Sequence, residues 1–364
     1  MNKLKYYSLD AILAKNAHYN IIIGERSNGK TTAVLRYALQ RYCTDGSQTG
    51  YIRRYEDDIK GGRGESIFSG VVSLGYVEEF TGGRWTDIRY RGRAWYLACK
   101  DPEDDSKFLL DEQPFCYAFA LTKQESYKSN AYPNIKTVVF EEFLSRSYYL
   151  ADEFIQFMNL LSTIIRQRND VKIFMLGNTV NKYAPYFQEM GLSHIKDMKK
   201  GSIDVYSYGS SELKVAVEFA DFPSKNKPSD VYFAFNNPRL NMITGQGQVW
   251  EIAIYPHLPC RYAPKNVCFT YFIMFDGELL QCEIIDVNSS VFTYIHRKTT
   301  PLQDPDIDLI FCPDPDARPN WRRKITQAPD RIGSKILYFY KNDKVFYQDN
   351  EIGEIVRNYL QFCK

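Results

Sequence analysis

Gly24-Glu25-Arg26-Ser27-Asn28-Gly29-Lys30-Thr31 satisfies the pattern GxxxxGK[ST] without an exception, and its surroundings agree with it. Upstream, Tyr19-Asn20-Ile21-Ile22-Ile23 is a short apolar run of the kind that forms a buried strand. Downstream, Leu35, Ala38, Leu39 and Tyr42 fall at i, i+3, i+4 and i+7, one face of a helix expected from Lys30 to Cys43. Strand, glycine loop and helix together make a phosphate cradle. The glycines let backbone N–H groups turn inward, and the helix N-terminus adds partial positive charge. Lys30 reaches the β- and γ-phosphate oxygens, and the Thr31 hydroxyl, with Thr32 next to it, faces Mg²⁺. At roughly 7% glycine, a chance match in a chain of this length is on the order of one in a hundred. The expected cofactors are ATP and Mg²⁺.

Outward from this motif, strand candidates recur at 49–55, 86–90, 94–98, 115–121, 135–141 and 171–177, with a helix over about 151–169. Strands alternating with helices predict an α/β domain with a mainly parallel sheet and flanking helices. From 222 to 247 the chain turns to Pro, Asn, Ser and Gly, as in Phe222-Pro223-Ser224-Lys225-Asn226 and Gly245-Gln246-Gly247, which reads as a linker. Strand candidates then follow at 248–255, 267–275, 278–286, 291–296, 336–341 and 345–348, with a closing helix from Glu351 to Cys363. Asp276-Gly277 gives the hairpin signal between the second and third of these. The expected division is 1–222, a linker at 223–247, and a smaller α/β domain at 248–364.

Composition bounds the rest. A chain of 364 residues exceeds one ordinary domain of roughly 150. With 44% hydrophobic and 25% charged residues it should fold, and no apolar run approaches the roughly 18 residues that span a bilayer, so no membrane partner is expected. A net charge of +2 means that any nucleic-acid site must be local. The eight cysteines form no CxxC pair and read as reduced thiols.

A cradled nucleotide needs acids at the end of a second strand, and Lys136-Thr137-Val138-Val139-Phe140-Glu141-Glu142 supplies them. Glu141 is expected to hold the metal, directly or through water, and Glu142 to orient the attacking water. The strand Lys172–Gly177 ends at Asn178, where a polar residue can sense the γ-phosphate. Arg166 and Arg168 close the preceding helix, which runs antiparallel to the strands and so finishes at the sheet edge opposite the phosphates. If either is catalytic, it acts on a neighbouring subunit as an arginine finger.

With this Walker A motif, Tyr51-Ile52-Arg53-Arg54-Tyr55 on the next strand, Lys128-Ser129-Asn130-Ala131-Tyr132-Pro133-Asn134 before the acids, and Arg166-x-Arg168, the chain resembles the DNA-packaging (encapsidation) ATPases of phi-29-like short-tailed bacteriophages. The resemblance implies an additional-strand catalytic-glutamate (ASCE) P-loop domain joined to a ribonuclease-H-like domain that has lost its nuclease site. It implies a homomeric ring, expected as a pentamer, that drives double-stranded DNA into a procapsid at the portal vertex, in the host cytoplasm and only transiently attached. It also implies Glu142 as catalytic glutamate, Arg166 as inter-subunit finger and Lys128 as a second basic group across the interface, and in some members contact with a structural RNA. Glu141 stands where the family has Asp.

Two competing functions remain on the sequence: a large terminase with an active C-terminal nuclease, and an assembly protein using ATP as a switch. The central strand Val267–Phe275 carries no acid for a two-metal site, which argues against the first, and Glu142 beside a complete Walker A argues against the second. Arg318, Arg322, Arg323 and Lys324 around Trp321 form a candidate nucleic-acid contact.

Overall fold

The computed structural model describes residues 7–24, 28–104, 106–146, 148–179, 181–221, 253–327 and 330–363. Glu25, Arg26 and Ser27 of the cradle, the 223–247 linker and most of the strand candidate at 248–255 lie outside them. Residues 253–255 form no strand. The chain separates into two compact units, Met1–Ala234 and Phe235–Lys364.

The first unit contains α1 (Asp10–Leu13), β1 (Tyr19–Gly24), α2 (Lys30–Asp45), β2 (Gln48–Arg53), three short helices α3 (Gly61–Ser66), α4 (Ser69–Ser73) and α5 (Tyr76–Thr81), β3 (Asp87–Arg91), β4 (Ala94–Lys100), β5 (Phe108–Leu110), β6 (Cys116–Ala120), β7 (Ile135–Glu141), α6 (Glu153–Ile165), β8 (Lys172–Asn178), α7 (Pro185–Glu189), β9 (Ile203–Ser207) and β10 (Lys214–Phe219). Its sheet runs β3-β4-β6-β2-β7-β8-β1-β10-β9, with β5 paired to β4. The six strands from β6 to β10 in that order are mutually parallel, whereas β9, β4, β3 and β5 add antiparallel margins. Parallel strands covered on both faces must be apolar throughout. Ile21, Ile22 and Ile23 of β1 and Val138, Val139 and Phe140 of β7 are accordingly fully buried. The order β7-β8-β1 places one strand between the cradle strand and the acid-bearing strand, the arrangement expected of an additional-strand P-loop domain.

β9 and β10 have no counterpart in the sequence reading. Val215, Ala216 and Val217 pair with β1 and are buried, but the run is short and is flanked by polar residues that hide it.

The second unit holds β11 (Val267–Phe275), β12 (Glu278–Val287), β13 (Ser290–Arg297), β14 (Ile310–Phe311), β15 (Trp321–Arg322), α8 (Arg331–Lys341), β16 (Val345–Tyr347) and α9 (Asn350–Phe362). Its sheet order is β15-β14-β11-β12-β13-β16. β11 to β13 form an antiparallel meander, and β14 returns parallel to β11 on the other side, which is a ribonuclease-H-like connection. The strand expected at 336–341 is instead the C-terminal half of α8. The aromatic run suits a strand by propensity, but Asp330 caps a helix by accepting from the Gly333 N–H at 2.8 Å. Gly333, Ile336 and Phe339 then fall on one buried face. Among the described residues no helix is long and apolar enough to cross a membrane.

Candidate functional site

Gly24 ends β1 in register with Asn178 at the end of β8, so the cradle opens directly beside the polar end of the intervening strand. Gly29 caps α2 at φ 89°, a left-handed conformation that a glycine adopts without steric cost. Lys30 follows as the first helical residue. It is buried, with its Nζ donating to the Gly24 carbonyl at 3.2 Å and its backbone N–H to Asn28 Oδ1 at 3.3 Å. The cleft so formed measures about 530 Å³, and Asn28 to Thr32, Arg54, Glu141 and Glu142, Leu144 to Arg146, and Leu176 to Asn178 line it.

Across the cleft floor the Thr31 hydroxyl donates to Glu141 Oε1 at 2.5 Å. The other Glu141 oxygen accepts from the Tyr51 hydroxyl and from Arg53 Nη1 at 3.5 Å. Burial first, and then the adjacent carboxylate, pushes the Tyr51 hydroxyl well above its ordinary pKa, so it remains a donor. Glu142, one residue later, leaves the strand at φ 55° and meets Arg53 Nη2 at 2.5 Å, with more than half of its side chain exposed. Neighbouring acids on one strand thereby take different positions: Glu141 lies inward against Thr31, and Glu142 lies at the open rim.

The donor set fits a magnesium nucleotide. Thr31 and Glu141 offer hard oxygen ligands that converge on one point. Asn28 Nδ2 is buried with no hydrogen-bond partner among the described residues, a donor that a phosphate oxygen would satisfy.

The model of the podovirus DNA encapsidation protein (Gp16) family matches residues 1–231. The chain belongs to that family. Curated relatives include the DNA packaging proteins of Bacillus phages phi29 and PZA, each 28% identical over 230 residues, 62% of this chain and 61% of theirs. That of Bacillus phage B103 is 28% identical over 211 residues. The chain thus matches less than two thirds of these relatives' own length. Among solved structures, the bacteriophage phi29 viral genome packaging motor assembly is 20% identical with a TM-score of 0.55, covering 99% of each chain, which extends the likeness of fold to both units.

The two encapsidation-family cations assigned to a neighbour lie away from the cleft. Arg166 closes α6 at φ 54° and donates to the Asn130 carbonyl at 2.9 Å, and Lys128 pairs with Glu125 at 2.6 Å. Arg166 thereby sits toward the N-terminal end of β7, roughly 20 Å from Glu141 at the rise of a strand, whereas Lys128 follows the short helix that leaves the C-terminal end of β6; neither lines the cleft. Arg168 spends all five of its N–H groups on the carbonyls of Tyr132, Pro133, Ile135, Ile164 and Ile165, so its work is structural.

The second unit does not present the expected basic cluster as an open patch. Arg318 is held by Asp306 at 3.1 Å and Asp316 at 2.8 Å while lying over Trp321. Arg322 pairs with Asp330 at 2.5 Å. Arg323 donates to the Pro313 carbonyl, and it and Lys324 lie over Phe362. Asp306 and Asp316, which precede the cluster in sequence, and Asp330, which follows it, offset the charges of Arg318 and Arg322.

Sequence reasoning assigned no role to Arg53, Arg54 or Arg146, although all three are at or beside the cleft. A signal existed for two of them. Consecutive arginines at the end of a buried strand are stable only where acids meet them.

Proposed function

We propose that the chain is an ATP-driven double-stranded-DNA translocase that packages a viral genome into a procapsid. It works as a homomeric ring, a pentamer, at the portal vertex in the host cytoplasm. One observation carries this reading: in a member of the encapsidation family, Thr31 of the cradle and Glu141 of the acid strand meet at 2.5 Å with Glu142 immediately after, on the strand order β7-β8-β1. Thr31 and Glu141 hold the metal, which when bound screens charge on the transferred phosphoryl group. Lys30 and the backbone of the cradle bind the phosphates, Glu142 orients the attacking water, and Asn178 senses the γ-phosphate from β8. Arg166 and Lys128, which do not line their own cleft, act on that of the next subunit.

The second unit is read as a ribonuclease-H-like domain without nuclease activity, supported by the absence of any acid from β11. A large terminase with an active nuclease gains no observation of its own. The test combines purified chain, procapsids, linear double-stranded DNA and ATP. Wild type should render DNA resistant to added nuclease and Glu142→Gln should not. Protection without ATP turnover, or Mn²⁺-dependent cutting by the wild type, would sink this reading.

A further inference from the structure

Glu142 is a non-glycine residue held at φ 55°, and nothing in its own side chain requires that conformation. What fixes it is the next layer. Arg54, the residue after β2, is buried, and its guanidinium forks between two groups. Nη1 donates to the Glu142 carbonyl at 3.1 Å and Nη2 to the Phe143 carbonyl at 2.8 Å. Nε and Nη2 also grip both oxygens of Glu153, at 2.7 and 2.8 Å. Glu153, at the start of α6, is buried as well, and its remaining capacity is taken by the Tyr186 hydroxyl at 2.7 Å and the Leu150 N–H at 2.8 Å. Burial works against the Arg54 charge, but the bonds and charge of Glu153 outweigh it and keep the guanidinium protonated.

The strand on the other side closes the frame. The Phe143 N–H donates to the Leu176 carbonyl at 3.3 Å. Gly177, just before Asn178, leaves room for Phe143 and Leu144, which a Cβ there would approach to 2.9 Å. The turn after β7 is therefore clamped between β8 and a buried guanidinium whose planar fork reaches two consecutive carbonyls at once.

We propose that Arg54, oriented by Glu153, is a positioning residue for hydrolysis: it fixes the backbone that aims Glu142 without itself moving a proton or holding nucleotide. Lysine offers a point charge in place of the fork, so it can satisfy Glu153 but not both carbonyls together. Charge and geometry become separable.

This inference rests on Glu142 acting in ATP hydrolysis, so the first measurements are wild type and Glu142→Gln in the full chain assembled on procapsids, by nucleotide affinity and single-turnover hydrolysis. If wild type does not hydrolyse ATP, or Glu142→Gln matches it, the functional reading itself fails. If those two behave as expected, Arg54→Lys should bind nucleotide within about twofold of wild type while hydrolysing at least tenfold more slowly. Glu153→Gln, which keeps shape and loosens the grip on Arg54, should show the same split in smaller degree. In the Glu142→Gln background, Arg54→Lys should cause little further loss, because both changes remove one function; a merely structural arginine gives losses that add. Wild-type hydrolysis in either folded variant, or full additivity in the double variant, overturns the proposal. Should Arg54→Lys not fold, Glu153→Gln alone decides by the same split.

Discussion

Lys30 and Glu142 share a cleft but face different tasks, and their loss should register in different measurements. Lys30→Ala removes a charged donor from the phosphates and should weaken nucleotide binding together with turnover, the latter on the order of a hundredfold. Glu142→Gln leaves the cradle and the Thr31–Glu141 contact intact, so equilibrium binding should stay near wild type while single-turnover hydrolysis falls on the order of a thousandfold. Near-normal hydrolysis in Glu142→Gln removes that residue from the catalytic role. The place of Lys30 was legible because a phosphate cradle is contiguous along the chain, and that of Glu142 because a β-branched run ends in two adjacent acids. Arg54 was marked only by its place beside Arg53 at the end of a buried strand, since its partner Glu153 lies 99 positions away and the carbonyls it holds have no residue-type signature.

Elements were legible where their periodicity was strong and their ends were marked. The expected strand 135–141 coincides with β7, and 267–275 with β11. The helices between Gly61 and Thr81 were missed because glycine-rich stretches read as loops, and α8 was misread because its aromatic run outweighed a single cap. In α9, Gly353→Ala tests packing against propensity. Alanine favours a helix by about 1 kcal/mol. A Cβ at 353, however, would lie 2.2 Å from the Tyr255 ring, and displacing that ring should cost about 1–3 kcal/mol. Denaturant unfolding of the full chain should show the second unit destabilised; a stabilised Gly353→Ala would mean that Tyr255 yields freely.

A second test at this scale concerns β12 and β13, where Glu283 lies 3.6 Å from His296. The nearby His296 imidazole is the main cause that lowers Glu283 to about 2, with hydrogen bonds donated by Tyr262 and Gln281 adding to it, and the carboxylate in turn raises His296 above its usual 6.5. A lowered carboxyl contributes stability above its unfolded value, and that contribution is lost as pH falls toward 2. A raised imidazole contributes fully below 6.5, and its contribution is lost as pH climbs through the folded value. The pair therefore stabilises the sheet most between about pH 4.5 and 6.5. Unfolding midpoints measured across pH 2–9 should decline on both sides of that window, and Glu283→Gln should flatten both limbs. Unchanged limbs would assign the pH dependence to other groups.

For the whole molecule, the proposed function puts the decisive arrangement between copies. Arg166→Ala and Lys128→Ala should each leave nucleotide binding by the isolated chain intact and depress turnover of the assembled ring, on the order of a thousandfold for Arg166. Mixing Arg166→Ala subunits with Glu142→Gln subunits should restore some turnover, at interfaces where an intact Glu142 faces an intact Arg166. If no mixture exceeds the separate variants although assembly is confirmed, the two cations do not act across an interface. Neither the ring nor its order can be read from one chain's periodicity; what the sequence offered was a helix ending in Arg166 at the sheet edge opposite the phosphates, and Lys128 only through the family resemblance.

The grip of Arg168 on five carbonyls bears on how such a pair would be used. It rivets the loop that carries Lys128 to the helix end that carries Arg166, so the two charges ride on one plug. Shifting the helix end against the residues that lead into β7 has to break that grip. A socket that accepts both measures the spacing between them, and a copy whose loop had slipped by one residue would be refused as a misfit however strong its charge.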